Sequence, residues 1–155
     1  MLVGILADSH DNIPNVRKAL DVYRARGITT VIHAGDVVAP FTGKVLAAFE
    51  GDVFAVFGNN DGEHAGLSKV IDIVDPPRTL DLGGRTIVVA HDLSQISDDV
   101  KEGADLLITG HTHEPGITGE RPVLVNPGET GGWLKGRSTC VVFDLDTLQG
   151  ELCDI

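Results

Sequence analysis

Two histidines stand one residue apart in the stretch Gly110-His111-Thr112-His113, which follows the apolar run 104–108. The run predicts a buried strand. Side chains at positions i and i+2 of extended backbone point the same way, so we expect both imidazoles to reach one point beyond the strand's end. Histidine is the commonest metal-binding side chain. Because a histidine pair on a loop is more often solvated than bound to a metal, the interpretation depends on the rest of the chain.

Five other polar side chains also follow apolar runs. Together with the histidine pair they make seven candidate metal ligands, which are Asp8, His10, Asp36, Asn59, His91, His111 and His113. Carboxylate and amide oxygens with imidazole nitrogens suit Mn, Fe, Zn, Ni or Co better than a metal that prefers thiolates. Seven ligands are too many for one ion with an open position, but they suit two ions that each keep room for water or substrate. Two neighbouring ions can stabilise the attacking and leaving oxygens of a phosphoryl displacement.

The first half of the chain repeats one pattern, in which a predicted strand leads to a polar loop and then to a helix. The strands are predicted at Leu2–Ala7, Thr29–His33 and Asp52–Phe57. Successive units of this kind favour parallel strands joined by right-handed crossovers. Ligands of such sheets bind outside the carboxyl ends of the strands. All three polar loops fall there, and this convergence is the main argument for a site.

The first helix has signals at both ends. Asn12 suits the N-cap, Pro14 suits the first turn, and Gly27 suits the C-terminal stop. Its apolar residues recur at helical spacing, at Val16, Ala19, Leu20 and Tyr23. A second helix is expected near residues 41–49, after Pro40.

The second half of the chain predicts two hairpins, one short helix and two single strands. The hairpins are Arg78–Leu82 with Arg85–Ala90 and Ser138–Asp144 with Leu148–Asp154, the helix is Leu93–Glu102, and the single strands are Asp105–Ile108 and Pro122–Val125. A turn of helix followed by a loop is expected within 66–77. Because no linker, repeat or low-complexity tract interrupts the chain, residues 1–155 are expected to form one domain.

The charge and the apolar runs exclude several classes of protein. With 12 Lys and Arg against 23 Asp and Glu, the chain carries a formal net charge of −11, which argues against binding nucleic acid by its phosphates or adhering to an anionic membrane. No apolar run approaches the roughly 20 residues of a membrane span, and the N-terminus lacks the basic region of a signal peptide. We therefore expect a cytoplasmic protein. Cys140 and Cys153 would face each other only if the final hairpin turns at 146–147, and reduced thiols are the favoured interpretation.

Five short motifs carry a family resemblance that covers nearly the whole chain. In order, they are Asp8-x-His10, Gly35-Asp36, Gly58-Asn59-x-Asp61, His91 and Gly110-His111-x-His113. This order resembles that of the calcineurin-like metallophosphoesterases, in particular their small, uncapped phosphodiesterase branch. Each motif is common, but five in this order at strand ends are a specific signal. The resemblance implies an α/β fold, a four-layer αββα sandwich of two mixed sheets with the site at the sheet edges.

The resemblance also implies a site with two divalent metal ions, with Mn favoured and Ni, Fe, Zn or Co as alternatives. One ion would be bound by Asp8, His10, Asp36 and His113, and the other by Asp36, Asn59, His91 and His111. A hydroxide between the ions would attack the phosphorus of a small phosphoester substrate. Asn60 and Asp61 are assigned supporting roles in catalysis.

The chain departs from the family pattern in three places. Many members have a histidine after the metal-binding asparagine, where it acts as an acid toward the leaving group, but this chain has Asn60. An amide donates a hydrogen bond but supplies no proton near neutral pH, so activated phosphodiesters are better test substrates than alkyl phosphomonoesters. Asp92 replaces a common glycine and would either orient His91 or repel an anionic substrate. Glu129 replaces a common serine after the turn 126–128.

Other polar residues near the motifs have two interpretations each. His33 either supports the site or is a partly buried histidine with its hydrogen bonds satisfied, and the second is favoured. His64 either substitutes for the missing acid or is an exposed loop residue, and again the second is favoured. Asp11 is interpreted as a negative charge near the N-terminus of the first helix, where its interaction with the helix dipole is favourable.

The stretch after the turn 126–128 holds Trp133, Lys135 and Arg137. These side chains would either contact a base or phosphate of the substrate, or belong to a surface loop or subunit contact. The sequence leaves both alternatives open.

Three functions are considered. The first is a metal-dependent phosphoesterase that prefers phosphodiesters. The second is a non-catalytic scaffold or interaction module of the same fold, as in the retromer subunit that resembles this family; loss of ligands would be its mark, and none of the seven is missing. The third is a nuclease, which the acidic charge and the lack of a basic groove make unfavourable. A homodimer or higher oligomer is expected by resemblance only.

Overall fold

A computed structural model describes all residues 1–155 and contains two β-sheets packed face to face. The elements in chain order are β1 (Leu2–Leu6), α1 (Ile13–Ala25), β2 (Thr30–His33), α2 (Pro40–Ala47), β3 (Asp52–Val56), α3 (His64–Leu67), β4 (Asp72–Val74), β5 (Arg78–Leu82), β6 (Arg85–Val89), a 3₁₀ helix (Leu93–Gln95), α4 (Asp98–Glu102), β7 (Leu106–Ile108), β8 (Gly116–Thr118), β9 (Val123–Asn126), β10 (Thr139–Asp144) and β11 (Gln149–Asp154). The helices are all too short or too polar to span a lipid bilayer.

Both sheets are mixed, as expected. The first sheet has the order β11-β10-β1-β2-β3-β4, in which β1 to β4 are parallel and β10 is antiparallel to both of its neighbours, β1 and β11. The second sheet has the order β5-β6-β7-β9-β8, in which β6, β7 and β9 are parallel and the edge strands are antiparallel. The parallel strands of both sheets therefore bring several carboxyl ends, and the loops that follow them, to one edge of the sandwich.

Alternation along the central strands separates two apolar cores. On β1, Val3 and Ile5 point into the core between the two sheets, whereas Leu6 points into the core under α1 and α2. Gly4 lies on the helix side, where a side chain would collide with the ring of Tyr23 at 2.6 Å. The phenol of Tyr23 donates a hydrogen bond of 2.7 Å to the Ile5 carbonyl, which satisfies the one polar atom of this buried ring. The outer face of the second sheet carries a smaller third core of five buried residues under short helices, so the fourth layer is thin.

The first helix has the predicted boundaries. The Asn12 side chain caps α1 by accepting the Asn15 N–H, Pro14 lies in the first turn, and Gly27 follows the helix with φ +66°. The buried residues of α1 are the predicted Val16, Ala19, Leu20 and Tyr23.

Two predictions of secondary structure are wrong. The strand β4 lies where the sequence predicts a turn of helix and a loop, and β8 lies in a segment for which no element is predicted; each has three residues at a sheet edge, and so short a segment is strand only because a neighbour pairs with it. The predicted helix 93–102 is interrupted at Ile96, which has extended backbone and is only 2% exposed. Burial of this side chain divides the segment into the 3₁₀ helix and α4.

The final hairpin turns at 146–147, so Cys140 pairs in register with Cys153. Both are free thiols. Burial raises the pKa of the Cys140 thiol to about 12, which keeps it protonated and unreactive at neutral pH.

Candidate metal centre

The seven predicted polar side chains meet at one edge of the sandwich. Asp8, His10, Asp36 and Asn59 follow strands β1 to β3 of the first sheet, and His91, His111 and His113 follow β6 and β7 of the second. Five of them line a cavity of about 350 Å³ together with four neighbours, and the nine lining residues are His10, Asp36, Asn59, Asn60, His111, His113, Glu129, Trp133 and Leu134. Asp8 and His91 are buried behind them. The site therefore spans both sheets.

The first group of ligand atoms surrounds the carboxylate of Asp8. Its Oδ1 lies 3.3 Å from Nε2 of His113 and 3.7 Å from Nε2 of His10. Asp8 Oδ1 and His10 Nε2 are buried and have no hydrogen-bond partner. A buried polar atom without a partner costs about 1–3 kcal/mol, and a cation between these atoms would remove that cost. The donor set thus fits a metal ion.

Asp36 connects this group to a second one. Its Oδ2 lies 3.6 Å from Nε2 of His10 and 3.4 Å from Nε2 of His91, so one oxygen faces imidazoles on both sides. Asp8, Asp36 and His91 also bring one ligand atom each within 4.8 Å of one another. The two groups that could hold a cation, Asp8 with His10 and His113 and Asp8 with Asp36 and His91, have Asp8 in common, and Asp36 lies close to a histidine of each.

Asn59 extends the second group. Its Oδ1 lies 2.9 Å from Nε2 of His91 and 3.0 Å from Nδ1 of His111. The other ring nitrogen of His91 donates a hydrogen bond of 2.9 Å to the Ala34 carbonyl, so in the neutral ring Nε2 presents a lone pair. In the neutral ring this lone pair and the Asn59 amide oxygen could bind one cation together, whereas in the protonated ring Nε2–H donates to that oxygen at 2.9 Å.

The backbone of the site is strained. Five of the seven residues are non-glycine residues in the left-handed region, namely Asp8 (φ +51°), His10 (φ +41°), Asp36 (φ +60°), His111 (φ +68°) and His113 (φ +59°). This conformation costs roughly 1–2 kcal/mol for each such residue, and such strain concentrates at functional sites. The extended backbone expected for the pair His111 and His113 is therefore wrong, and their two side chains reach different groups.

Glycines in two of the motifs are required by close packing against the carboxylates. A Cβ at Gly58 would lie 2.2 Å from Oδ1 of Asp36, and a Cβ at Gly110 would lie 2.6 Å from Oδ2 of Asp8. Real Cβ atoms do not approach other atoms this closely. Glycine at both positions lets the loops come near enough for the ligand atoms to converge.

Burial raises the pKa of an aspartate and hydrogen bonds to its carboxylate lower it, and the balance differs between Asp8 and Asp36. Burial raises the pKa of Asp8 to about 6. Burial would also raise the pKa of Asp36, but hydrogen bonds with His91 and Asn60 hold it well below its ordinary value. The pKa of His91 is raised in turn, because Asp36 and the Ala34 carbonyl outweigh the opposing effect of burial. Asp36 is thus a stable anion between the two groups.

Asn60 and Asp61 both contact Asp36 but by different means. Asn60 donates its backbone N–H to Oδ1 of Asp36 and its side-chain amide to Oδ2, each at 2.8 Å. Asp61 is buried and accepts the backbone N–H groups of Asp36, Val38 and Gly58 at 2.6–3.1 Å. Asp61 ties the loop after β2 to the loop after β3 and is a positioning residue.

Asp92 contacts a different histidine from the one expected. The orientation of His91 by Asp92 is wrong, because the Ala34 carbonyl holds that ring. Oδ2 of Asp92 lies 3.4 Å from Nε2 of His111, and Oδ1 caps the 3₁₀ helix by accepting the Ser94 N–H. A backbone carbonyl such as that of Ala34 has no signal in the sequence.

Glu129 has a role that the sequence did not reveal. It is buried, and its carboxylate accepts the backbone N–H groups of Trp133, Leu134 and Lys135 at 2.8–3.1 Å. Burial would raise the pKa of Glu129, but these N–H groups hold it below its ordinary value. Its Oε2 also lies 3.5 Å from Nδ1 of His113, a buried atom without another partner. One carboxylate thus holds both a loop and a candidate ligand.

The remaining candidates lie around the site. His33 is fully buried, and its Nε2 is hydrogen-bonded to the Ser9 hydroxyl at 3.0 Å. Ser9 lies between the candidate ligands Asp8 and His10 in the sequence. His64 is exposed, stacks on Phe57 at 3.8 Å and does not line the cavity.

Asp11 precedes the N-cap of α1, as expected, but its side chain contacts a second helix. Its carboxylate accepts the Ala39 N–H and the Thr42 hydroxyl at the start of α2. Lys135 and Arg137, expected either near substrate or on a surface loop, form ion pairs with Glu114 and Asp154 and do not line the cavity.

Known proteins share both the sequence and the fold. A family model described as the calcineurin-like phosphoesterase superfamily domain matches residues 1–148. Phosphodiesterase MJ0936 of Methanocaldococcus jannaschii is 34% identical over 156 residues, which span 94% of each protein. The structure of an archaeal phosphodiesterase superposes over 100% of both chains with a TM-score of 0.90 and 29% identity.

A more distant likeness is limited to the fold. Vps29 of Entamoeba histolytica complexed with Zn²⁺ superposes over 99% of both chains with a TM-score of 0.71 and 20% identity. The family model covers nearly the whole chain, and a relative above 30% identity covers as much. This chain belongs to the calcineurin-like phosphoesterase superfamily.

Proposed function

We propose that the chain is a phosphodiesterase that depends on two divalent metal ions. The observation that carries the proposal is the carboxylate of Asp36, one oxygen of which faces His10 on one side and His91 on the other. Paired divalent ions, when bound, polarise a phosphoryl oxygen and lower the pKa of water toward neutrality. The phosphodiesterase activity of MJ0936, at 34% identity over nearly the full length, supports the assignment of the reaction.

The seven polar side chains divide into two sets of ligands in this proposal. One ion is bound by Asp8, His10, Asp36 and His113, and the other by Asp36, Asn59, His91 and His111. The distances of 3.3 Å from His113 to Asp8 and 3.0 Å from His111 to Asn59 support the division of the histidine pair between the two ions. Manganese remains the favoured metal on the oxygen and imidazole donors, with nickel, iron, zinc and cobalt as alternatives.

The cavity favours substrates with good leaving groups. Asn60 lines it at the position where the resemblance to the family leads us to expect a histidine, and its amide donates to Asp36. An amide has no proton to give to a departing alkoxide near neutral pH, so the leaving group must be stable as an anion. Activated phosphodiesters are therefore expected to react faster than alkyl phosphomonoesters.

Hydrolysis of bis-p-nitrophenyl phosphate tests the proposal. The purified protein loaded with Mn²⁺ or Ni²⁺ should release p-nitrophenolate, and chelation should stop the release. Asp36→Asn keeps the shape of the residue proposed to bind both ions but removes its charge. It should lose more activity than His33→Ala, because His33 lies behind the ligands and is not one of them. Equal losses in the two variants would contradict the site assignment.

The alternative is a non-catalytic scaffold of the same fold. Vps29 of Entamoeba histolytica shares the fold of this chain. The scaffold is the less favoured alternative because all seven candidate ligands are present here and converge. A metal-loaded protein that hydrolyses no activated monoester or diester would favour the scaffold. A homodimer and a cytoplasmic location remain predictions, and sedimentation velocity would test the first.

A further inference from the structure

Two large apolar side chains stand exposed on the wall of the metal cavity. Trp133 is 65% exposed and Leu134 is 77% exposed, and they are the two apolar residues among the nine that line it. A single exposed apolar side chain on a surface is ordinary, but an adjacent pair beside a polar catalytic floor is not. The opening of the cavity therefore has one polar side and one apolar side.

The apolar wall is held in place by hydrogen bonds. The Trp133 indole N–H donates to the His10 carbonyl at 3.1 Å, and the backbone N–H groups of Trp133 and Leu134 donate to Glu129. The Gly131 carbonyl accepts a further bond of 2.7 Å from the Asn12 side chain, next to α1. Because the ring is fixed before a ligand arrives, a group that stacks on it loses little free energy to ordering the protein.

The chemistry of the lining selects an uncharged group for this wall. No lysine or arginine lines the cavity, and the two basic residues of the same loop, Lys135 and Arg137, are paired with Glu114 and Asp154. The chain carries a formal net charge of −11, so a second anionic group on the substrate would be repelled. A flat, uncharged ring can stack on the indole and contact the leucine side chain.

We propose that Trp133 and Leu134 form a subsite for a planar aromatic group esterified to the phosphate of the substrate. The inference rests on the proposed function, because it assigns the phosphate to the metal side of the same cavity. The ring is either bonded directly to the phosphate oxygen, as in an aryl ester, or carried on a sugar, as in a nucleotide.

Pairs of ligands that differ only in the ring test the subsite without any turnover. Calorimetric titration of the Mn²⁺-loaded protein should give an affinity for phenylphosphonate roughly tenfold higher than for methylphosphonate, in the range of stacking on an aromatic side chain. The second pair, adenosine 5′-monophosphate and ribose 5-phosphate, separates a nucleobase from a directly bonded ring. The chain has one tryptophan, so its fluorescence emission should also shift with the ring-bearing ligand alone.

Substitutions at the wall should remove this preference. For the pair of ligands in which the parent protein prefers the ring-bearing member, Trp133→Ala should bring the ratio of the two affinities close to one. Trp133→Phe should keep most of the preference. The backbone N–H groups that Glu129 accepts are retained in both variants. Phe41→Ala is the matched control, because Phe41 is also an exposed aromatic residue (53% exposed) but does not line the cavity. Its affinity ratio should stay that of the parent protein.

The outcomes separate the subsite from the proposed reaction. Equal affinities within both pairs, or a preference that survives Trp133→Ala, would overturn the subsite even if phosphodiesters are hydrolysed. Preferential binding of a ring-bearing ligand that depends on Trp133 would support the subsite, and it would do so even if bis-p-nitrophenyl phosphate is not hydrolysed.

Discussion

At the scale of single residues, Asp36 has the most demanding position in the site. Its carboxylate faces His10 and His91 through one oxygen, and both of its oxygens accept hydrogen bonds from Asn60. These contacts require the loops after β2 and β3 to lie almost in contact. Gly58 makes this possible, because any side chain there would overlap Oδ1 of Asp36.

Substitution of Gly58 is therefore expected to damage the metal site without a change in any ligand. In Gly58→Ala the new Cβ would lie 2.2 Å from Oδ1 of Asp36, so Asp36 or its loop must move. We expect Mn²⁺ affinity measured by calorimetry to fall by roughly 10–100-fold, as for other changes directly behind a ligand.

Gly62→Ala is the matched control in the same loop. A Cβ at Gly62 would have no neighbour within 4 Å, and the residue lies outside the left-handed region. The control should bind Mn²⁺ as the parent protein does. Similar affinities for the parent protein and both variants would show that the close approach of Gly58 to Asp36 is not needed for metal binding.

At the scale of elements, the site depends on loops that are tied to one another. Asp61 joins the loops after β2 and β3, and Asp11 joins the loop after β1 to the start of α2. Glu129 joins the loop after β9 to His113, which follows β7. The three carboxylates accept backbone N–H groups, so each positions a loop.

The change Glu129→Gln tests the last of these links. Glutamine has a similar shape, but it is uncharged and has one acceptor oxygen where glutamate has two, so it cannot accept all the N–H groups of 133–135. We expect Mn²⁺ affinity to fall by roughly 10–100-fold and amide hydrogen exchange of Trp133 and Leu134 to become faster. Both measurements are needed, because a purely local effect on His113 would leave the exchange of the loop unchanged.

Glu114→Gln is the control for the loss of one negative charge near the loop. Glu114 is exposed and its partner is the half-exposed Lys135. We expect neither metal affinity nor amide exchange to change measurably, because exposed ion pairs contribute little. If Glu129→Gln and Glu114→Gln change metal affinity and amide exchange alike, Glu129 does not link the loop to His113.

At the scale of the whole molecule, the site exists only because two sheets pack against each other. Four candidate ligands follow strands of the first sheet and three follow strands of the second, and the core between the sheets sets their separation. His33 is buried at the end of β2, and a hydrogen bond of 3.0 Å connects it to Ser9, which lies between Asp8 and His10 in the sequence.

The pH dependence of stability should report the burial of His33. Burial lowers the pKa of His33 to about 3 from an ordinary value of 6.5, so the folded state binds fewer protons than the unfolded state between these limits. The stability from neutral His33 is fully present above pH 6.5 and is lost as the pH falls toward 3, by up to about 1.4 kcal/mol per pH unit.

Comparison with His33→Gln isolates this contribution from those of the buried aspartates. The free energy of unfolding is measured with urea in the presence of a chelator, for both proteins, between about pH 7 and pH 4, inside the range over which the two states differ in protonation. The difference between the parent protein and the variant should shrink as the pH falls. A difference that does not depend on pH would mean that His33 titrates normally in the folded state.

Much of this protein was predictable from local sequence. The first helix follows from Asn12, Pro14 and Gly27, because capping and turn preferences act within a few residues. Parallel strands put the polar residues that follow them at one edge, so the convergence of Asp8, Asp36 and their partners follows from the order of strands and loops along the chain. The family motifs extended that inference to the chemistry of the site.

Only the tertiary structure determined which atoms contact one another. The edge strands β4 and β8 have too few residues to be recognised without their neighbours, and the partner of His91 is a backbone carbonyl that any residue could supply. Glu129 contacts His113 because β9 pairs with β7 and directs the loop that follows β9 toward the site. Contacts between residues distant in sequence depend on how the sheets pack, and that information is spread over the whole core.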